Sequence, residues 1–212
     1  MMEITSLTKN GNYVEIFTDD GVKIKIRYEI VVKSGFKKGD ELTEEIVKNL
    51  LNENEKFIVK ENAFRFLSRR IHSEKELRLK LGRKSFEKKI IEDTIDFLKQ
   101  SKYLDDREFA EKFIEEKIHK KKLGLDKIKS QLILRGISGE IIKEFLPVHQ
   151  SSEILTENAL NLAAKKFQSL LKRKVEPKKI KQRLYSYLGS KGYTYDEILD
   201  VFRRLNLDEH SS

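Results

Sequence analysis

Clustered cations are the residues of this chain whose type and spacing suit a chemical task, and that task is holding a polyanion. Lys120, Lys121 and Lys122 follow His119 directly. Ammonium and guanidinium groups pair with phosphate oxygens and displace counterions from nucleic acid, or pair with the carboxylates of an acidic protein. The simpler alternative is that each run only offsets the dipole at a helix C-terminus. We predict one basic binding face made of Arg69, Arg70, Arg83, Lys84, Lys120, Lys121, Lys122, Lys172, Arg173, Lys174 and Lys191.

Motifs for bond-making chemistry are missing from the sequence. The chain has no cysteine, no Gly-x-x-x-x-Gly-Lys-Ser/Thr phosphate loop and no His-Glu-x-x-His zinc motif. Asp105 and Asp106 resemble a pair of metal ligands, but they precede an apolar helical pattern, which predicts a helix cap. His72 has no second ligand at metal-binding spacing, so we predict a packing or capping role. The sequence therefore predicts a protein that is not an enzyme and binds no metal or cofactor.

Positive charge is concentrated after the first sixty residues. The formal net charge is +9, yet residues 1–60 hold 10 basic and 11 acidic groups. Residues 61–150 hold 22 basic and 16 acidic groups, and residues 151–212 hold 12 and 8. A basic array of this kind attracts polyanions. Neither a leader pattern nor an 18-residue apolar run is present, which predicts a soluble cytoplasmic protein without a membrane segment.

The basic runs belong to a pattern that the chain writes three times between residues 64 and 205. Each copy has a lead-in helix, a second helix with an aliphatic pair four residues apart, a turn, and a third helix with adjacent aliphatics. The second-helix pairs are Leu77/Leu81, Ile128/Leu132 and Ile180/Leu184, and the third-helix pairs are Ile90/Ile91, Ile141/Ile142 and Ile198/Leu199. Such a period indicates tandem helical units that stack side by side. We predict an elongated, curved array of three-helix repeats at residues 59–102, 103–150 and 151–212.

Helix boundaries are marked clearly within these repeats. Ser73 with Glu76, and Thr194 with Glu197, form capping boxes, in which a hydroxyl and a carboxylate bond the N–H groups that begin a helix. The polar stretch 147–152 separates the second repeat from the third as a linker. Weaker start signals stand at Asp105 and Ser138, and glycines that end helices with a positive φ are predicted at Gly124, Gly136 and Gly192.

Residues 1–58 carry β patterns instead, and we predict a small β-rich accessory domain there. Residues 22–28 alternate apolar and basic side chains, as in a half-buried strand. We expect residues 30–32 to extend the sheet, and Thr43 to open a short helix that ends near Asn52. Hairpin dipeptides that complete a three-stranded meander stand at Asn10-Gly11 and Asp20-Gly21.

One segment of the second repeat resembles a known family signature. Tyr103-Leu104-Asp105-Asp106, followed by Phe109-Ala110, is similar to the signature of the RecX family, the regulators of the RecA recombinase. The likeness extends from about residue 63 to 205, and residues 35–42 resemble the N-terminal extension of longer members. The family more often has two arginines where Ser190 and Lys191 stand. Further matching positions are Arg70, His72, Ser73, Glu76, Leu77, Leu81, Gly124, Ile128, Leu132, Gly136, Ile137, Leu188, Gly192, Tyr193 and Ile198.

This resemblance implies a non-enzymatic modulator, which we expect to act as a monomer. A member would bind in the groove of the RecA–DNA filament, contact single- and double-stranded DNA without sequence preference, and inhibit the recombinase and its ATPase. Several basic repeats suit multivalent contact with such a filament.

Two other functions remain open from the residues alone. A helix of one repeat could read the major groove of duplex DNA in a transcription-type protein. Clustered carboxylates with a divalent metal could cleave DNA. Tyr185 and Tyr187, close to Lys181 and Arg183, are candidates for stacking on single-stranded bases, whereas Tyr193 aligns with core positions of the other repeats.

Overall fold

The computed structural model describes residues 1–149 and 153–207, and within them the chain is mostly helical with one small antiparallel sheet. The strands are β1 (Met2–Asn10), β2 (Tyr13–Thr18), β3 (Lys23–Arg27) and β4 (Glu41–Leu42). The helices are α1 (Tyr28–Ser34), α2 (Glu44–Leu67), α3 (Glu74–Gly82), α4 (Lys88–Gln100), α5 (Asp106–His119), α6 (Leu125–Leu134), α7 (Gly139–Phe145), α8 (Glu153–Lys172), α9 (Pro177–Lys191) and α10 (Tyr195–Arg204). This confirms the predicted fold class, tandem three-helix repeats behind a small β-rich domain. Of the predicted linker, Pro147–His149 form a short 3-10 helix, and residues 150–152 lie outside the described part.

The chain divides into two compact units. The first holds Met1–Arg70 and Leu77–Tyr103, and the second holds Ile71–Glu76 with the chain from Leu104 onward. The sheet and most of the first repeat therefore belong together, as do the second and third repeats. The predicted domain boundaries at residues 58, 102 and 150 stay predictions.

The sheet of the first unit has the strand order β3-β2-β1-β4, with antiparallel pairs throughout. Alternate residues of β2 and β3 point inward, so Val14, Ile16, Ile24 and Ile26 are buried with the aliphatic side chains of α1 and α2. The predicted meander is confirmed. Its fourth member is β4, which pairs with the start of β1.

Two sequence predictions in this unit were wrong. Residues 30–32 lie in helix α1 instead of a strand, because adjacent Ile30 and Val31 are both buried against the sheet while Val32 is 59% exposed. Tertiary burial here overrides the β preference of these side chains. Thr43 does cap α2, accepting the Ile46 N–H at 3.2 Å, but this helix continues far beyond Asn52.

Helix α2 continues because its polar middle has partners in the sheet and the repeat. The Asn54 side-chain oxygen accepts the Arg27 backbone N–H at 2.8 Å, and the Arg27 guanidinium donates to Glu61 at 2.8 Å. Further along, Glu55 accepts the N–H of Glu87, the N-cap of α4, at 2.7 Å. In the sequence, Asn54 and Glu55 look like the polar end of a short helix. In the structure they lie within α2 and join the β domain to the first repeat.

Helix ends in the second unit follow one recurring turn. After α6 and α9, Gly136 and Gly192 adopt φ of 83° and 92°, as predicted. The next residue then donates its N–H to a carbonyl five residues earlier, Ile137 to Leu132 at 3.1 Å and Tyr193 to Leu188 at 3.3 Å. Ile137 and Tyr193 are each 4% exposed, so the turn delivers an apolar side chain into the core.

Gly124 has a different role from the one predicted. Its φ is −74°, and the positive φ at this joint, 51°, belongs to Lys122. Gly124 instead lets two backbones meet, since a Cβ there would lie 2.2 Å from the Gly192 carbonyl oxygen. The Gly124 N–H donates to Lys191 O at 3.0 Å, and the Asp126 N–H donates to Gly192 O at 3.2 Å. The positive end of α6 thus docks on the negative end of α9.

The second unit repeats this end-to-end docking one step earlier in the chain. The Ser73 hydroxyl, which also accepts the Glu76 N–H at 3.2 Å, donates to Arg135 O at the end of α6 at 2.7 Å. A Cβ on Gly136 would lie 2.8 Å from the Lys75 side chain. The start of α3 thus packs on the end of α6, just as the start of α6 packs on the end of α9.

The acidic pair of the signature segment caps two helices. Asp105 accepts the Arg107 N–H at 2.8 Å and so begins α5, as predicted. Asp106 accepts the Glu74 N–H at 2.8 Å and so helps to begin α3. Both carboxylates satisfy backbone donors that would otherwise lack partners. The other predicted starts are confirmed too, with a full capping box at Thr194 and Glu197.

We expect Gly124→Ala to lower the free energy of unfolding by about 1–3 kcal/mol, the usual cost of overpacking, because its methyl group would separate α6 from α9. Denaturant titration followed by circular dichroism measures this change. Gly189→Ala in α9 is the matched control, since a Cβ there meets no atom within 4 Å. It should leave stability unchanged or slightly raised. Equal stability of both variants would contradict the close docking.

Candidate functional site

The three basic runs occupy the same position in each repeat, the end of its first helix. Arg69 and Arg70 follow α2, the lysine run 120–122 follows α5, and the run 172–174 closes α8. The side chains of these runs are exposed, apart from Lys122, which is half-buried. We call these three runs, Arg69–Arg70, Lys120–Lys122 and Lys172–Lys174, the cationic corners. Because one follows the first helix of each repeat, the feature belongs to the repeat and not to one particular loop.

In the second unit, folding brings Lys122 and Lys191 to one joint. The Tyr193 hydroxyl donates to Lys122 O at 3.0 Å, and the Gly124 N–H donates to Lys191 O at 3.0 Å. Two members of the predicted face that are far apart in sequence thus share the contact between the second and third repeats. Burial raises the pKa of Tyr193 above its ordinary range, with a smaller contribution from the Glu197 carboxylate, so the phenol remains a donor.

Sequence reasoning missed two further lysines at this joint. Lys166 of α8 and Lys191 place their ammonium groups over the Tyr187 ring, 5.2 and 5.7 Å from its centroid. Lys127 is packed so close to Gly192 that a Cβ on that glycine would lie 2.4 Å from the lysine Cβ. We call Lys122, Lys127, Lys166 and Lys191 the lysine joint. A single lysine on an amphipathic helix does not indicate a binding site in the sequence. The sequence features that indicate this joint are Gly124 and Gly192.

Other predicted residues lie apart from the lysine joint. The run 172–174 precedes the N-terminus of α9, whereas Lys191 is at its C-terminus, a separation of about 22 Å along a 15-residue helix. In the first unit, Arg83 and Lys84 follow α3 at the opposite end from Arg69 and Arg70. Within each unit the predicted residues therefore lie at more than one helix end. The single basic face stays a prediction.

Three lysines hold a backbone conformation that usually belongs to glycine. Lys102, Lys122 and Lys174 have φ of 58°, 51° and 51° after their helices. A left-handed conformation costs an L-residue about 1–2 kcal/mol. A cation near helix-terminal carbonyls regains about 0.3–1 kcal/mol. Replacing these lysines by glycine would therefore leave the stability of the fold equal or higher. The substitution would remove the ammonium group.

Aromatic side chains of the third repeat divide into buried and exposed groups. Tyr193 is 4% exposed and belongs to the core, as its alignment predicts. Tyr187 is half-buried and covered by lysines. Tyr185 and Tyr195 are 42% and 59% exposed and meet edge to face at 6.1 Å. Of the two tyrosines considered for base stacking, Tyr185 is the more accessible.

The acidic and imidazole side chains suspected of metal binding are used elsewhere. His72 is 2% exposed, and Asp105 and Asp106 cap helices. Across residues 1–149 and 153–207, no three side chains of the His, Asp or Glu type gather as a metal site. No helix within the same residues combines the length and apolar character needed to cross a bilayer.

Comparisons with known proteins match each repeat separately. Models of the first, second and third three-helix domains of RecX match residues 60–98, 105–146 and 153–202. The chain belongs to the RecX family. Curated relatives named "Regulatory protein RecX" include those of Clostridium botulinum strain Alaska E43, 36% identical over 96% of both chains, and Clostridium perfringens strain 13, 33% identical over 99% of both. These relatives support a regulatory role for this RecX-family chain.

Solved structures show the same fold. A crystal structure of regulatory protein RecX superposes with a TM-score of 0.69, covering 97% of this chain and 99% of that one at 19% identity. The crystal structure of RecX from Lactobacillus salivarius gives a TM-score of 0.63, covering 73% of this chain and 99% of that one at 21% identity. At these identities the likeness concerns the fold alone.

We expect Lys174→Gly to keep or raise the free energy of unfolding, by up to about 1 kcal/mol, since glycine relieves the left-handed strain. The same change should weaken DNA binding and reduce the slope of log affinity against log salt by about one phosphate contact. Fluorescence anisotropy with a labelled oligonucleotide measures this slope.

Asn206→Gly is the matched control for that variant. Asn206 has φ of 52° in the same kind of turn after α10 but carries no charge. Asn206→Gly should change the free energy of unfolding by about as much as Lys174→Gly does, and it should leave the salt dependence of DNA affinity unchanged. Equal slopes for wild type and Lys174→Gly would show that Lys174 only closes its helix.

Proposed function

We propose that this RecX-family protein is a non-enzymatic regulator that binds the RecA–DNA filament and inhibits the recombinase and its ATPase. The observation that carries the proposal is the cationic corner at the end of the first helix of every repeat. A polymer of phosphates and repeated subunits offers many equivalent contacts, and linked weak contacts add up to strong binding. Such a ligand opposes subunit closure or strand exchange without any bond-making step.

The DNA part of this contact is independent of sequence. Exposed ammonium groups at helix ends suit phosphate oxygens, which position a protein on DNA but carry no base information. Proteins that read the major groove commonly use the N-terminal residues of a recognition helix. In α6 this end is occupied, because Gly124 and Asp126 donate to the carbonyls that close α9. That contact favours a backbone-binding regulator over a transcription-type reader.

The carboxylates of the signature segment have no catalytic part in this function. Asp105 and Asp106 each accept a backbone N–H at 2.8 Å, which gives both carboxylates a structural role at a helix start. The protein would act as a monomer in the cytoplasm, where RecA and the chromosome are found. Its part in recombination and DNA repair would be to limit filament activity.

Charge reversal at two corners should weaken inhibition of RecA. The variant carries Lys120→Glu, Lys121→Glu, Lys172→Glu and Arg173→Glu, all at exposed positions. Because about 0.7 counterions are released per contact with single-stranded DNA, we expect about tenfold or greater loss of potency at low salt and a flatter salt dependence. The measurement is RecA ATPase on single-stranded DNA, titrated with the protein at two salt concentrations.

A control with the same change in net charge separates local contact from overall attraction. It reverses four exposed lysines of the first unit, Lys33, Lys37, Lys38 and Lys48. This control should keep most of the inhibition. If the corner variant inhibits as well as wild type at low salt, the basic corners do not hold the filament. Discrimination among duplex sequences, or cleavage of DNA with Mg²⁺, would favour the rival functions instead.

A further inference from the structure

The β-sheet of the first unit has an outward face that the repeat-based function does not use. Directly opposite residues of antiparallel strands share a face, and the pairs Tyr13/Arg27, Glu15/Lys25 and Phe17/Lys23 join β2 to β3. The intervening residues are buried in the core. The three side chains that β1 adds to the outward face are polar and exposed, namely Ser6, Thr8 and Asn10.

Aromatic rings and cations lie next to each other on this face. Tyr13 and Phe17 are half-buried, while Lys23 and Lys25 are exposed. The Lys25 ammonium lies 4.7 Å from the Tyr13 ring centroid, and the Lys23 ammonium lies 5.4 Å from that of Phe17. The guanidinium of Arg27, the residue directly opposite Tyr13, lies 4.9 Å from the Tyr13 ring, but it is buried and donates to Glu61 of α2. Lys25 is therefore the exposed cation beside this ring. Each ring therefore has a cation within reach of a phosphate attached to a stacked base.

The spacing keeps the two rings independent. Tyr13 and Phe17 are four residues apart on one strand, about 13 Å. They cannot stack on each other, so each can take a base of its own. Stacking tolerates any base, because every base has a π face, and cations beside the rings follow the backbone.

We propose that this outward face is a binding site for single-stranded nucleic acid, with bases on Tyr13 and Phe17 and phosphates on Lys23 and Lys25. An acidic peptide would satisfy the lysines but leave the rings unused, so the combination favours nucleic acid. Glu15, paired with Lys23 at 2.9 Å, is the one carboxylate among these nine outward positions of β1, β2 and β3. It limits the affinity of the face. The site does not depend on the recombinase.

The chain contains no tryptophan, which permits a local reporter. Tyr13→Trp places a single indole on the proposed site in the full-length protein. Stacked bases quench indole fluorescence, so a 20-nucleotide oligo(dT) should quench it in a saturable manner that high salt reverses. Tyr103→Trp is the control, because Tyr103 is 59% exposed in the same unit but packs on Phe64 of α2. Its fluorescence should change little.

Further substitutions on the same face, made in the Tyr13→Trp protein, test the individual contacts. Lys25→Ala should weaken the quenching titration by about threefold or more and flatten its salt dependence, and Glu15→Gln should tighten it. In the tyrosine background, Tyr13→Ala should reduce oligo(dT) affinity about fivefold or more, whereas Tyr13→Phe should retain it, because the ring and not the hydroxyl stacks.

Two results would overturn the site. One is an unquenched indole in the Tyr13→Trp protein under conditions where anisotropy shows that oligo(dT) is bound. The other is an equal spectral change with poly-glutamate, which would assign the face to an acidic protein. Inhibition of RecA ATPase by the Tyr13→Ala protein separates this site from the proposed regulatory function. Normal inhibition with an unquenched reporter would remove the sheet site alone.

Discussion

The architecture of the second unit depends on backbone N–H groups at the start of one helix meeting carbonyls at the end of another. Gly124 and Asp126 donate to the last carbonyls of α9, and this contact requires that Gly124 has no Cβ. Hydrogen bonds left open at one helix end are thereby satisfied by the opposite end of a neighbour, with dipoles aligned favourably. Because Ser73 makes the related contact with α6, the same device sets the register of successive second helices in that unit.

The first repeat shows what happens at the start of such a series. Ser85 stands 51 residues before Gly136 and holds a φ of 58° after α3. It is exposed and keeps its Cβ, whereas Gly136 and Gly192 each face a side chain or backbone at a distance that no Cβ allows. Terminal repeats in stacked arrays commonly differ in this way, because a terminal repeat has a neighbouring repeat on only one side.

Local signals in the sequence predicted much of this structure. The aliphatic spacing predicts all three repeats, and the hydroxyls and carboxylates at Thr43, Asp105 and Thr194 predict helix starts, because capping involves only neighbouring residues. Predictions failed where a distant partner decides. Asn54 continues α2 by bonding Arg27, and Lys166 joins Lys191 only through a shared tyrosine ring. The sequence predicts a joint at Gly124 but gives the wrong reason for the glycine, because the close approach of the distant Gly192 backbone has no counterpart in the residues next to Gly124.

Structural and binding explanations of the basic corners need not exclude each other. Each corner lies where helix-terminal carbonyls collect, and one cation there offsets the dipole by about 0.3–1 kcal/mol. A second and third lysine in the run 120–122 gain little from the same carbonyls and repel one another. The left-handed Lys122 adds backbone strain to that repulsion. An anion with several charges would relieve this repulsion. The surplus of cations over helix dipole ends therefore supports the proposal that these basic runs bind a polyanionic partner as well as closing their helices.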